Sequence, residues 1–194
     1  MPHIHNEPDQ HDMTVSGYVV RLDGEEPLCL LHMHRKMGKL MQIGGHIELN
    51  ETPWQSMGHE LTEESGYRLH ELKVVQANAD KVAETDNVSH PTPFSMNTHS
   101  VGNQHFHSDL CYGFVAVGPP SSMPADGESA DLRWLSLADM QKEVEDDRVV
   151  EDTWRIYEYL VRNLNNYAIV DAKDFSIGKP TKAMVTYTYG APGH

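Results

Sequence analysis

Glu60, Glu63 and Glu64 stand at i, i+3 and i+4, the spacing that brings side chains onto one face of a helix. At about 100° per residue they fall at roughly 0°, 300° and 40°. On the same wheel Trp54, Met57 and Leu61 fall between about 60° and 120°, an apolar stripe beside the acidic one. Neighbouring carboxylates of like charge destabilise a helix. A divalent cation removes that penalty, because hard cations take oxygen ligands. An acidic helix face is more often simply solvated, so the run informs only together with its flanks.

Those flanks are ordered. Gly44-Gly45 precedes the segment, Glu51 lies six residues after Gly45, and Gly66 closes it. Written out, Gly45–Tyr67 reads G-x5-E-x7-H-E-L-x-E-E-x-G-Y. This resembles the Nudix box, G-x5-E-x7-R-E-U-x-E-E-x-G-U, in which U is a bulky aliphatic residue. Every glycine and glutamate matches in spacing, while His59 replaces the arginine and Tyr67 the aliphatic residue.

The resemblance implies an α+β fold, a Nudix-like α/β/α sandwich with a mixed β-sheet, in which the box forms a loop–helix–loop unit. It implies hydrolysis of a pyrophosphate bond in a nucleoside diphosphate linked to another moiety. It further implies Mg2+ or Mn2+ held by Glu60, Glu63 and Glu64 with the backbone carbonyl of Gly44. One of these glutamates, or an acid from another loop, would be the general base. Glu51 matches the position that pairs with the box arginine, so His59 becomes its expected partner. Histidine lacks the bidentate fork of arginine, which puts the orientation of Glu60 in question.

The supporting elements are signposted in turn. Thr52 suits an N-cap, Pro53 the first helical position, and Gln55 completes a T-x-x-Q capping box. Gly66 is the expected left-handed stop, and Gly45 allows close backbone approach at the other end. Gly58 inside the helix costs about 1 kcal/mol against alanine, which points to close packing against a strand. Upstream, Met13–Leu22 and Leu28–His34 predict strands joined by a hairpin through DGEEP. Downstream, Glu71–Gln76, His105–Val117 and Asp131–Leu137 predict strands, and Ala138–Glu145 and Asp152–Asn163 predict helices. Trp154, Ile156, Tyr157, Leu160 and Val161 give the last helix an apolar face. Residues 77–104 show no periodicity and predict a long loop, with a weak helical turn at Asp80–Glu84.

Outside the box, Arg35–Lys39 (RKMGK) is a dense basic cluster in an acidic chain. A solvated turn and a phosphate contact are both open there, and Arg35 is a candidate substrate contact. In the strand from His105, residues Phe106, Leu110, Tyr112 and Phe114 share the predicted core face. His105, His107 and Asp109 share the other, so His105 and His107 are candidates for lining a substrate pocket or for a metal pair. His3, His5 and His11 lie in a polar lead-in, residues 1–12. The Nudix-like domain is then expected over 13–167, with 168–194 an extension that includes a predicted strand, Ala183–Tyr189, and suits an edge or homodimer contact.

The composition narrows the partners. Fifteen basic against 29 acidic residues give a formal charge of −14, which disfavours a nucleic-acid polymer or an anionic membrane surface. A small phosphorylated substrate remains compatible, since a bound metal reverses the local field. Cys29 and Cys111 are isolated and read as buried free thiols. With no apolar leader or membrane-length run, a cytoplasmic location is expected. Two other readings stand beside the hydrolase: a Nudix-fold module that binds nucleotides without efficient turnover, and a non-Nudix metalloprotein using the His-rich loop with His105 and His107.

Overall fold

The computed structural model describes residues 9–79, 88–102 and 104–179. In chain order the strands are β1 (His11–Arg21), β2 (Leu28–His34), β3 (Lys39–Met41), β4 (Ile43–His46), β5 (Leu72–Gln76), β6 (Ser95–Gly102), β7 (His105–Ala116), β8 (Leu132–Leu135) and β9 (Ala168–Asp171). The helices are α1 (Pro53–Glu60), α2 (Leu137–Glu145) and α3 (Glu151–Asn163). The strands form one sheet in the order β3-β2-β1-β7-β5-β9, with β4 on β1, β6 on β7 and β8 on β2.

β1 and β7 run parallel, from His11 opposite Phe106 to Val20 opposite Val115. The other pairings are antiparallel, so the sheet is mixed. A strand buried on both faces should read as a continuous apolar run, and the centre of β1, VSGYVV, does. Val15 and Val19 pack on one side with Trp54, Met57 and Leu61 of the box segment. Tyr18 and Val20 pack on the other with Met140, Tyr157 and Leu160 of α2 and α3. The result is the expected α/β/α sandwich.

A fork in the sheet places the box. β1 and β2 pair at Val20–Cys29 and Arg21–Leu28, then part. β3 takes over against β2, with His32 opposite Met41, and β4 takes over against β1, with Val15 opposite Gly45. Gln42, between β3 and β4, donates to Ser16 Oγ (3.1 Å) and accepts from Thr153 Oγ1 (2.6 Å). One turn along α3, the buried Tyr157 hydroxyl donates to the Leu30 carbonyl (2.5 Å) and accepts from the Val19 amide (3.1 Å). It satisfies two backbone groups at the point where the strands separate.

Several sequence expectations change. β1 begins at His11, so Asp12 belongs to the sheet and is fully buried. Residues 77–104 are not all loop: Ser95–Gly102 forms β6, whose mostly exposed side chains hide the periodicity of a strand. The weak turn at Asp80–Glu84 lies outside the described residues. β7 has two core faces, since Cys111 and Val115 are buried opposite Tyr112 and Phe114. Gly58 faces the Leu69 side chain, in a 3-10 turn, and not a strand. Of the C-terminal segment, Ala168–Asp171 pairs with β5 as β9; Ala183–Tyr189 lies outside the described residues. Both cysteines are buried and free, and no described helix is long and apolar enough to cross a membrane.

Tyr157→Phe removes the hydroxyl and leaves two buried backbone groups unpaired. The expected loss is about 1–3 kcal/mol, read as a fall of roughly 3–9 °C in the melting midpoint at about 3 °C per kcal/mol. An unchanged midpoint would show that the fork does not need this plug.

Candidate active site

The capping box forms as the sequence prescribes. Gln55 N donates to Thr52 Oγ1 (3.3 Å) and Thr52 N to Gln55 Oε1 (2.9 Å). The α-helix ends at Glu60, and Leu61–Ser65 continue as a π turn before Gly66, at φ 76°, stops the helix. The uniform α spacing assumed for the three glutamates therefore fails in the last turn. A π turn inside a helix is uncommon and recurs at functional sites.

Two of the glutamates are pinned to β4 by glycines. A Cβ on Gly45 would collide with Glu60 Oε1, so the Glu60 carboxylate occupies the space this glycine leaves empty. The Gly44 amide donates to Glu64 Oε2 at 2.9 Å, and a Cβ on Gly44 would strike the Val15 carbonyl. Glu60 and Glu64 are only 8% and 6% exposed. Glu63 is half-exposed, and its backbone carbonyl accepts from the Ala125 amide (2.7 Å).

Burial raises the Glu60 carboxyl to about 7, with the neighbouring Glu63 adding to the shift. Burial raises Glu64 to about 9; the Gly44 amide pulls it down while Glu60, Glu128 and Glu63 push it up. Ionising both together therefore needs a counter-charge. The donors are carboxylate oxygens on a rigid, capped helix, which fits a hard divalent cation such as Mg2+ or Mn2+. Among the described residues no three metal-binding side chains are already gathered around one point, so binding would draw the carboxylates together.

His59 meets its expected partner, with Nδ1 3.1 Å from Glu51 Oε1. Its Nε2 lies 3.3 Å from Glu63 Oε1, so the ring sits between Glu51 and Glu63, while Glu60 is positioned by Gly45. A neutral imidazole donates to only one of two carboxylates, whereas an arginine fork can serve both.

The structure does not bring Arg35, His105 or His107 to the carboxylates. Arg35 is on the exposed turn between β2 and β3. His105 and His107 pair with neighbours on the sheet face opposite α1. It adds three groups that sequence reading missed. His32 is buried with Nε2 3.5 Å from Glu64 Oε2, and burial holds its pKa down to about 4. His34 packs edge-on to it, ring centroids 6.0 Å apart. Glu128 comes from the loop between β7 and β8, and its charge acts on both Glu60 and Glu64. The signal for the first two was a His-x-His inside an apolar run; Glu128 left none. A cavity of about 560 Å3 on the outer side of α1 is lined by Gly58, His59, Leu69, Phe175 and Ile177 and by none of the three glutamates.

The NUDIX domain family model matches residues 11–159. The chain belongs to the Nudix family of hydrolases. Among solved structures it is similar to a NUDIX-family hydrolase from Clostridium perfringens, at 25% identity and TM-score 0.61, covering 79% of this chain and 97% of that one. The NUDIX domain of Shewanella oneidensis NrtR, solved with ADP ribose, matches at 14% identity and TM-score 0.57, over 79% and 88% of the two chains. A C. elegans Ap4A hydrolase complex matches at 15% and TM-score 0.54, over 79% and 95%. No curated protein matches at a significant level. Family membership removes the non-Nudix metalloprotein reading.

The raised Glu60 and Glu64 carboxyls set a pH dependence. An acid whose folded-state pKa lies above its unfolded value favours the folded state most below the unfolded value, 4.5 here, and loses that contribution as pH rises through about 7 and then 9. A cation that binds the ionised forms offsets the loss. The rise in melting midpoint on replacing EDTA with Mn2+ is therefore larger near pH 8 than near pH 5. An equal or reversed shift would place the metal elsewhere.

Proposed function

We propose that this Nudix hydrolase cleaves a pyrophosphate bond in a nucleoside diphosphate linked to another moiety, with Mg2+ or Mn2+ held by Glu60, Glu63 and Glu64. The observation that carries the reading is the pinning of Glu60 and Glu64 against Gly45 and Gly44, which aims two buried carboxylates at one end of β4. When bound, the cation would screen the phosphate charge and acidify a water. The chain's own part is to hold the array rigid, to keep Glu60 and Glu64 from solvent, and to accept the proton of that water.

One of the three box glutamates, or an acid from another loop such as Glu128, whose charge acts on Glu60 and Glu64, would take the proton. Glu63 is the most exposed of the three box acids, and His59 braces it to Glu51. Gly66 shapes the far end of the box, where its carbonyl accepts from Ser122 Oγ (2.9 Å). The carbonyl of Gly44 is a further ligand candidate, since the amide of the same residue already fixes Glu64. ADP-ribose and Ap4A, named with two structural relatives, set the substrate class to try first. The opposite-face His105 and His107, and Arg35, are not assigned to substrate in this reading.

A panel of nucleoside triphosphates, dinucleoside polyphosphates, ADP-ribose and nucleotide sugars, assayed with Mg2+ and Mn2+, tests it. Turnover of at least one is expected, and Glu64→Gln should lower it by roughly 10³-fold, the several kcal/mol a metal supplies to such a transition state. Tight binding without turnover would favour a nucleotide-binding module instead. His59→Arg should keep activity within about threefold or raise it, because the fork can reach both Glu51 and Glu63. A severe loss would contradict the bracing role.

A further inference from the structure

The turn between β2 and β3 closes on one residue of β2. The His34 carbonyl accepts from the Gly38 amide (2.8 Å), and His34 Nδ1 accepts from the Met37 amide (3.3 Å). Gly38 sits at φ 64°, a left-handed position that favours glycine. An imidazole nitrogen that accepts leaves the ring proton on the other nitrogen, so a neutral His34 carries its donor on Nε2. Of the cations in the turn, Lys39 pairs with Asp147, and Lys36 is the one whose charge reaches His34.

This donor lies on the box side of the sheet. Leu30, His32 and His34 alternate along β2 and so share a face, and Leu30 packs with Trp54, Met57 and Leu61. His32 Nε2 lies 3.5 Å from Glu64 Oε2, and the His34 ring stands edge-on to His32 at 6.0 Å. From His32, beside a buried glutamate, the strand reaches the rim in a further step of about 7 Å. The Glu128 charge acts on His34 as it does on Glu60 and Glu64. Burial lowers the His34 pKa and Lys36 lowers it further, against Glu128, which favours the neutral ring that donates through Nε2.

The three box glutamates and Glu128 repel any phosphate that a metal does not screen. A cation at the carboxylates would screen the phosphates bound to it. The next phosphate along the chain would meet an N–H donor and an ammonium at the rim, and hydrogen bonds between charged partners are the strong ones. We propose that His34 Nε2 and Lys36 Nζ bind a third phosphate of the substrate, so that the site favours nucleoside triphosphates and dinucleoside polyphosphates over two-phosphate substrates such as ADP-ribose. The assignment rests on the hydrolase reading for the bond that is cut; the anion contact rests on His34 and its turn. Arg35 takes no part in it.

Calorimetric titration of the full chain with inorganic pyrophosphate and with tripolyphosphate, each in Mg2+, reads the contact without a nucleoside. Tripolyphosphate should bind roughly tenfold more tightly, and His34→Ala with Lys36→Ala should bring the two anions within about twofold. His34→Gln, whose amide still donates, should keep more of the preference than His34→Phe. Mn2+ affinity, read by electron paramagnetic resonance, should stay within about twofold in every variant, because an exposed lysine is screened from the box. A wild-type chain that turns over no nucleotide yet prefers tripolyphosphate would remove the hydrolase reading and support the contact. Equal affinities for the two anions in the wild type, or a preference that survives the double change, overturns the proposal even where turnover is normal.

Discussion

The empty volume at Gly45 is the constraint on which the site depends. Glu60 can lie against β4 only because that residue carries no Cβ. The close approach requires β4 to run beside β1 directly beneath the box helix, and the fork in the sheet provides that position. β2 leaves β1 after two pairs, β3 and β4 fill the two sides, and Gln42, Thr153 and Tyr157 satisfy the groups exposed at the split. Helix α3, on the far side of the sheet, thus helps to fix where a carboxylate on α1 can rest.

The same economy shows in how charge is handled. Burial lifts the Glu60 carboxyl to about 7 and the Glu64 carboxyl to about 9, while Glu63 stays half-exposed beside His59. The loop after β7 closes on the far end of the box through Ala125, Ser122 and the Tyr67 hydroxyl, which donates to the Gly118 carbonyl at 2.7 Å. Tyr67, where an aliphatic residue is usual, keeps its ring in the core and gains a tie to that loop. That loop carries Glu128 towards the carboxylates.

What was legible in the sequence was local. The cap at Thr52 and the stop at Gly66 are each set within a few residues, and each appears in place. The α/β/α architecture followed from strands and helices whose apolar runs were long enough to read. What stayed hidden was relational. β6 has no buried face to give it a period, Asp12 looked like part of a polar lead-in, and Glu128 reaches the site only through the path of a Pro/Ser/Gly loop. His32 was passed over because its meaning lies in strand register, which a single strand does not reveal. The π turn was also invisible, since glutamate spacing alone cannot distinguish it from an α turn.

The claim that Glu60 needs the space at Gly45 to take part in metal binding has a direct measurement. Mn2+ titration followed by electron paramagnetic resonance, on the wild-type chain and on Gly45→Ala, compares affinities with the rest of the site intact. The side chain that must yield is the flexible end of Glu60, so the variant should fold normally. It should bind Mn2+ at least tenfold more weakly. Wild-type affinity in a folded Gly45→Ala protein would contradict the account.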